Sequence, residues 1–288
     1  MKFFLFLLTF LFVQILLAQP TSIFMKDKSD VTIEIQPEWT SSNKVGLDIS
    51  EVAFTNWNAG GSNSISALIN SESNYNYKDK YFNWKNRLTT RYGINKQEAR
   101  ELRKTEDLFE INSTFGYRKN TASNWYNSAK FNFKTQLTNG YKYPNTEKPI
   151  SKLFAPAYLF FGIGSEYFSE KVNLKLYLSP LTNKTTFVFN QTLANEGAFG
   201  VSPAIYDELG NLISEGYNTK IEFGTLLTGE WKTTVMENIK MANKLILYSD
   251  YLNNYGNIDI NWELNFNLTI NKYVSANIGT HLKYDDDV

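Results

Sequence analysis

The chain has 288 residues, with 29 lysines and arginines matched by 29 aspartates and glutamates, one histidine and no cysteine. Balanced charge lacks the clustered basic surplus that phosphate backbones demand, so nucleic acid is not an expected partner. Without cysteine there is no disulfide, thiolate metal site or lipidated cysteine, and a lone histidine excludes a multi-histidine zinc centre.

Lys2 precedes an apolar run from Phe3 to Leu17, closed by Ala18, Gln19 and Pro20. A basic start, an apolar core and a small residue at the cut predict a signal peptide over 1–18, although Leu16 makes the cut imperfect. The alternative, a membrane anchor, falls at the short end of the roughly 17–25 residues a spanning helix needs. Residues 19–44, which contain Pro37, read as a periplasmic lead-in in which Val31, Ile33 and Ile35 alternate briefly.

From residue 45 onward one unit repeats, the amphipathic strand. Val45, Leu47 and Ile49 mark a weak first strand over 45–54. Ile65, Ala67, Ile69, Tyr75 and Tyr77 share one face of the second. In the third, Phe82, Trp84, Leu88, Tyr92 and Ile94 oppose Asn83, Lys85, Arg87, Thr89 and Arg91. Phe109 to Tyr117, Trp125 to Leu137, Ala157 to Tyr167 and Val172 to Leu178 carry the fourth to seventh. Ile221 to Trp231 and Ile239 to Leu247 carry the eighth and ninth. The tenth, over 258–270, alternates without a break: Ile258, Ile260, Trp262, Leu264, Phe266, Leu268 and Ile270 are apolar, and every residue between is polar. Successive side chains of a strand point to opposite faces, so one face seeks hydrocarbon and the other water. At about 3.3 Å per residue and a tilt of about 40° that stretch crosses about 33 Å, the length of a transmembrane barrel strand. Val274 to Tyr284 is the eleventh.

The connections alternate. Short turns are predicted at 78–80, 119–123, 169–171, 232–238 and 271–272, and longer loops at 55–64, 95–105, 138–155, 179–218 and 252–257. Short periplasmic turns opposite longer external loops are the pattern of outer-membrane barrels. Tyr75, Tyr77, Tyr81, Phe82, Trp84, Trp125, Tyr126, Tyr167, Phe168 and Tyr273 crowd the short turns, which suits rings at a membrane interface. The expected fold is an all-β, antiparallel, up-and-down transmembrane β-barrel over 45–288, of twelve strands when complete and about eleven here. Bacterial single-chain barrels have even strand numbers, and the chain stops just past a strand, so a last strand is expected to be missing. A soluble barrel, with the apolar faces turned inward, is the architectural alternative.

The 179–218 segment is too apolar at Gly197-Ala198-Phe199-Gly200-Val201 for a freely solvated loop, and long loops in compact proteins are functional or disordered. It reads as a plug or cap, or as a surface loop. His281 falls on the polar, lumen side opposite Leu282 and reads as an ordinary lumen residue. Asp285, Asp286 and Asp287 are hard oxygen donors that suit Ca2+, though without the spacing of a known calcium loop. No other cofactor is expected.

Thr55-Asn56-Trp57-Asn58-Ala59-Gly60-Gly61, Gly140-Tyr141-Lys142-Tyr143-Pro144-Asn145 and Leu178-Ser179-Pro180-Leu181-Thr182 resemble recurring segments of an uncharacterised Bacteroidetes-type outer-membrane β-barrel family, a domain of unknown function. So do Gln191-Thr192-Leu193-Ala194, Tyr251-Leu252-Asn253-Asn254 and the closing aspartates. The resemblance implies an outer-membrane barrel with no established activity, whose members continue past the aspartates into a strand ending in an aromatic residue. These segments fall on predicted external loops or strand ends, so function is expected at the outer mouth, with Trp57, Asn58, Tyr143, Asn190, Gln191, Asn254, Asp259 and His281 as binding candidates. The expected function is a pore, or a barrel binding a small polar solute. A structural or adhesive barrel binding a partner through its loops is the alternative, and a hydrolase with His281 as base and Asp285 as orienter the second alternative. Expected partners are outer-membrane lipid, the barrel assembly machinery and a small polar solute; the expected location is the cell outer membrane.

Overall fold

The computed structural model describes residues 37–55, 60–252 and 256–284. The predicted signal peptide, the lead-in below Pro37, Trp57, Asn58, Asn254 and Asp285 to Asp287 lie outside them. The strands in chain order are β1 (Glu38–Val52), β2 (Ser64–Lys78), β3 (Phe82–Gln97), β4 (Arg103–Tyr117), β5 (Trp125–Thr135), β6 (Gly140–Tyr141), β7 (Pro149–Ser151), β8 (Ala157–Ser169) and β9 (Leu174–Phe187). They continue as β10 (Ile205–Tyr206), β11 (Leu212–Ser214), β12 (Thr219–Met236), β13 (Ile239–Asp250), β14 (Asp259–Thr269) and β15 (Ser275–Tyr284).

Eleven strands form one antiparallel, up-and-down sheet in the order β1-β2-β3-β4-β5-β8-β9-β12-β13-β14-β15. The other four make two small hairpins, β6-β7 and β10-β11. Among the described residues β1 and β15 do not pair with each other, so the sheet is not closed. No described helix is long and apolar enough to cross a membrane.

The alternation in sequence becomes two faces of opposite character. Ile69 (56% exposed), Ile163 (51%), Leu178 (49%), Ile221 (57%) and Ile278 (61%) stand on the outer face, open to the surroundings. Their neighbours in sequence, among them Asn70, Gly164, Ser179, Glu222 and Asn277, turn the other way. That second face is concave: residues of strands from β2 round to β12 line one recess, and the Lys85 ammonium of β3 reaches within 5.3 Å of the Phe168 ring of β8, although β4 and β5 lie between. Three strand spacings span about 14 Å in a flat sheet, so this approach reflects the bend.

One end of the sheet carries the tight turns 79–81, 118–124, 170–173, 237–238 and 270–274 (the turn end), and the other the connections 53–63, 98–102, 136–156, 188–218 and 251–258 (the loop end). At the turn end the outer face bears a belt of rings. Trp39 packs on Tyr77 (5.2 Å between centroids) and Trp84 (5.9 Å), Phe82 on Phe115 (5.7 Å) and Tyr117 (5.1 Å), and Trp125 on Tyr167 (5.1 Å). Asp79 fastens the first turn, accepting from the amides of Tyr81 and Phe82 at 2.6 Å each and from the Tyr77 hydroxyl at 3.0 Å.

Three expectations are corrected. β1 starts at Glu38 rather than Val45, because pairing with β2 carries the strand down to Lys78 even where its own alternation is polar. The predicted long loop 95–105 is only 98–102, since β3 and β4 extend toward each other past a bulge at Gly93 and Ile94. And Ser179-Pro180 does not end its strand. β9 runs on to Phe187 through a bulge, with Ser179 and Pro180 facing the single residue Gly164 of β8, and Pro180 and Leu181 facing Thr225 of β12. The bulge removes Pro180, which has no N–H, from the hydrogen-bond ladder. The Ser179 hydroxyl fills the local gap, donating to a backbone carbonyl of the bulge, Ile163 at 2.9 Å or Leu181 at 3.0 Å.

The 188–218 segment (the cap) folds at the loop end around a small core. Helix α1 (Gln191–Asn195) leads into a turn of 3-10 helix, Ala198–Gly200. Ala155, Val188, Leu193, Ala194 and Val201 form a small dry core, with Ala198 and Phe199 against it. The apolar stretch that is too greasy for a free loop is thus consumed by a core of its own. Its tip is the β10-β11 hairpin, turned by Asp207, whose carboxylate accepts from the amides of Leu209 (2.9 Å) and Asn211 (2.7 Å) and from the Asn211 side chain (2.9 Å). These bonds, led by that from the Asn211 side chain, hold the Asp207 carboxyl below the usual carboxylate range. A lowered folded pKa means the contribution is present above the ordinary value and lost as pH falls through the lowered one. The hairpin amides of Leu209 and Asn211 should therefore stay protected from exchange at neutral pH and lose protection on acidification below the ordinary carboxylate pKa. Amide exchange followed by NMR checks this; protection independent of pH in that range would refute it.

Candidate functional site

The recess on the concave face has a volume of about 320 Å³ and is lined in part by Lys85, Arg87, Lys130, Glu166, Lys175 and Glu230. Five strands supply these six charges: β3, β5, β8, β9 and β12. Strict alternation puts every second residue inward, and the register sets the inward residues of neighbouring strands side by side, Lys85 beside Thr114 and Thr114 beside Lys130. Curvature then brings the far strands into range.

The charges in the recess are loosely paired. Lys130 lies 3.9 Å from Glu166 and Lys175 lies 3.9 Å from Glu230, both beyond hydrogen-bond distance. Several pairs elsewhere are tight: Arg91–Glu106 at 2.8 Å, Lys104–Asp107 at 2.8 Å and Lys148–Glu196 at 2.6 Å. The recess lysines are instead steadied by rings. Lys130 Nζ sits 3.7 Å from the centre of Tyr177, and Lys85 and Lys175 lie 5.3 and 5.8 Å from the same ring, Phe168. Distances under about 6 Å are in the cation–π range.

Toward the loop end the inner face changes character. Tyr177, Leu226 and Tyr248 are buried together with Phe160 and Ile246 against them. Tyr177 belongs both to this cluster and to the recess lining. Above the cluster Glu222 is buried and bonded to Lys184 at 3.1 Å, with Lys220 at 3.9 Å. The recess therefore lies on the turn-end side of this apolar cluster, which the neighbouring strands β8, β9, β12 and β13 supply.

The sequence candidates are placed otherwise. Tyr143 lies in the 136–156 connection, where its hydroxyl accepts from the Lys104 amide (3.1 Å) and its ring faces the Arg103 guanidinium (4.9 Å). Asn190 caps α1, accepting from the Leu193 amide at 3.2 Å. Gln191 donates to Asn195 (2.7 Å) and to the Gly216 carbonyl (3.0 Å). All three use their polar atoms to hold the loop-end structure. Asp259 opens β14 opposite Tyr248, and His281 sits on the concave face of β15 with Nε2 2.7 Å from Asn261 Oδ1. Trp57, Asn58, Asn254 and the calcium candidates Asp285, Asp286 and Asp287 are outside the described residues. Among the described residues no three or more histidine, aspartate or glutamate side chains gather as a metal would require.

Reading the strands gave Lys85 and Arg87 their face, but the meeting of Lys130, Glu166, Lys175, Tyr177 and Glu230 with them went unseen. Periodicity says which side of a sheet a residue takes, and the sheet's curvature decides whom it meets there.

The cap offers a direct test of its core. Leu193 is 3% exposed inside it. Leu193→Ala should cost about 2–4 kcal/mol locally and open the 188–218 segment to limited proteolysis, whereas Lys148→Ala, which breaks an exposed pair, should change cleavage little. Equal protection of wild type and Leu193→Ala would show that the cap does not depend on that core.

Residues 49–141 match the model of a family described as a protein of unknown function (DUF3078). The match takes in the Thr55–Gly61 segment and reaches Gly140 and Tyr141; the segments from Leu178 onward that carried the resemblance lie beyond it. No curated protein matches the chain. Among solved structures, the translocator domain of the autotransporter NalP from Neisseria meningitidis is similar over 87% of this chain and 83% of that one, at 8% identity and a TM-score of 0.35.

Proposed function

We propose that this chain is an outer-membrane β-barrel whose interior binds a small polar solute, exported by way of the predicted signal peptide and inserted by the barrel assembly machinery. The observation that carries the reading is the inverted pair of faces. Large apolar side chains stand exposed around the convex side, and charged side chains gather on the concave side. A soluble barrel would need the reverse, because a continuous apolar surface of this kind is not left in water. Lipid supplies the missing burial, and the ring belt at the turn end fits a membrane interface. In that orientation the tight turns are periplasmic and the cap is extracellular. Binding is favoured over free passage by the convergence of charged side chains from five strands on one recess.

Membrane fractionation with heat-modifiable gel mobility tests the reading. Recovery of the full chain in the outer membrane, with a band that shifts on heating, is the expected result. A chain that stays folded in solution without detergent would overturn it.

A further inference from the structure

We infer that the recess is an anion site: it takes a small oxyanion-bearing solute, phosphate or carboxylate, between Lys85, Lys130 and Lys175. This rests on the proposal that the interior is a solute site and names the class of solute.

Three ammonium groups and the Arg87 guanidinium line the recess against two carboxylates, Glu166 and Glu230. The local balance is positive in a chain whose total charge is zero. Lys85 has no ion-pair partner among the described residues. Lys130 and Lys175 stand too far from their carboxylates to donate to them, so neither is tied up in a hydrogen bond there. Two ammonium groups sharing the ring of Phe168 repel each other, and the ring quadrupole offsets only part of that. An oxyanion between them converts repulsion into charge-assisted hydrogen bonds. Thr114 and Thr228 add hydroxyls and Asn74 and Asn112 amides to the same lining, which suits a solute that carries hydroxyl groups beside its anionic one.

Inorganic phosphate is the probe. It is titrated by calorimetry into the full chain purified in detergent, with Lys85→Gln, Lys175→Gln and the double variant alongside. Lys44→Gln, on the same face of β1 but outside the recess, is the control. The expected result is saturable binding that weakens at least tenfold in the double variant, is unchanged in Lys44→Gln and falls as potassium chloride is raised. Absence of saturable binding overturns the inference, and so does equal affinity in the double variant. If the double variant does not fold, Lys85→Gln decides alone, since that side chain has no ion pair to lose: weakened binding supports the site and unchanged binding overturns it. Phosphate binding at these lysines by a chain that needs no detergent would keep the anion site while refuting the membrane reading; a heat-modifiable outer-membrane chain that binds no phosphate would do the opposite.

Discussion

Gly164→Ala and Gly224→Ala should each prevent the sheet from forming, with loss of the heat-modifiable band and a cost on the order of 3 kcal/mol or more. Gly164 of β8 faces the bulge of β9, and Gly224 of β12 lies one residue from it. A Cβ on Gly164 would fall inside the carbonyl of Leu178, and one on Gly224 inside that of Ser249. These are backbone atoms held in the ladder, so they cannot swing aside as the end of a side chain would. Gly164 lets β8 and β9 close in where two residues of β9 oppose one, and Gly224 does the same for β12 and β13. Gly229→Ala is the control, because its Cβ would meet only Leu176 Cδ2 at 3.4 Å. Folding of all three variants to the same extent would show that the close approach is relieved by a shift of the strands.

Phe131→Arg is the second large effect, and it separates lipid from water on the convex face. From Trp125, in the ring belt, to Phe131 the strand rises about 20 Å, or about 15 Å along the normal at a tilt of about 40°. In the proposed membrane orientation that places Phe131 near the middle of a hydrocarbon core about 30 Å thick. An arginine there should cost about 2–4 kcal/mol of folding from detergent into lipid bilayers. Thr89→Arg, inward-facing between Glu72 and Glu110, should change the same measurement by less than about 1 kcal/mol. Equal effects of the two, measured by equilibrium folding into lipid vesicles, would refute the assignment of the faces.

The strands were legible because period-2 alternation is a local signal, and in β14 or β2 it persists over the whole element. It failed where the cause was not local. Glu38 to Lys44 carries almost no apolar alternation, and only the partner strand β2 makes it a strand; Trp39, a member of the ring belt, was overlooked for that reason. Pro180 reads as a stop because a proline in a central strand normally is one, and the glycine that faces its bulge, Gly164, lies on another strand. The candidate site was legible in sign but not in place. Lys85 and Arg87 could be put on the polar face, whereas the outer-mouth candidates Tyr143, Asn190 and Gln191 turn out to be occupied with holding loops. Polar residues in recurring loop segments serve a cap or a ligand equally well, and only geometry separates the two.

The passage from β9 into the cap has a consequence for how any substitution in this chain is judged. Leu178 is about half exposed, and Val188, a little further along, is wholly buried. Within one short run the chain goes from an element that is apolar outside to one that is apolar inside. Hydropathy has no fixed meaning along it: a leucine-to-serine change at 178 removes an anchor to the surroundings, and the same change at 193 removes a keystone. A single stability scale, with one sign for apolar exposure, would misjudge either the outer face of the sheet or the cap, and Phe187, the last residue of β9, marks where the scale should change.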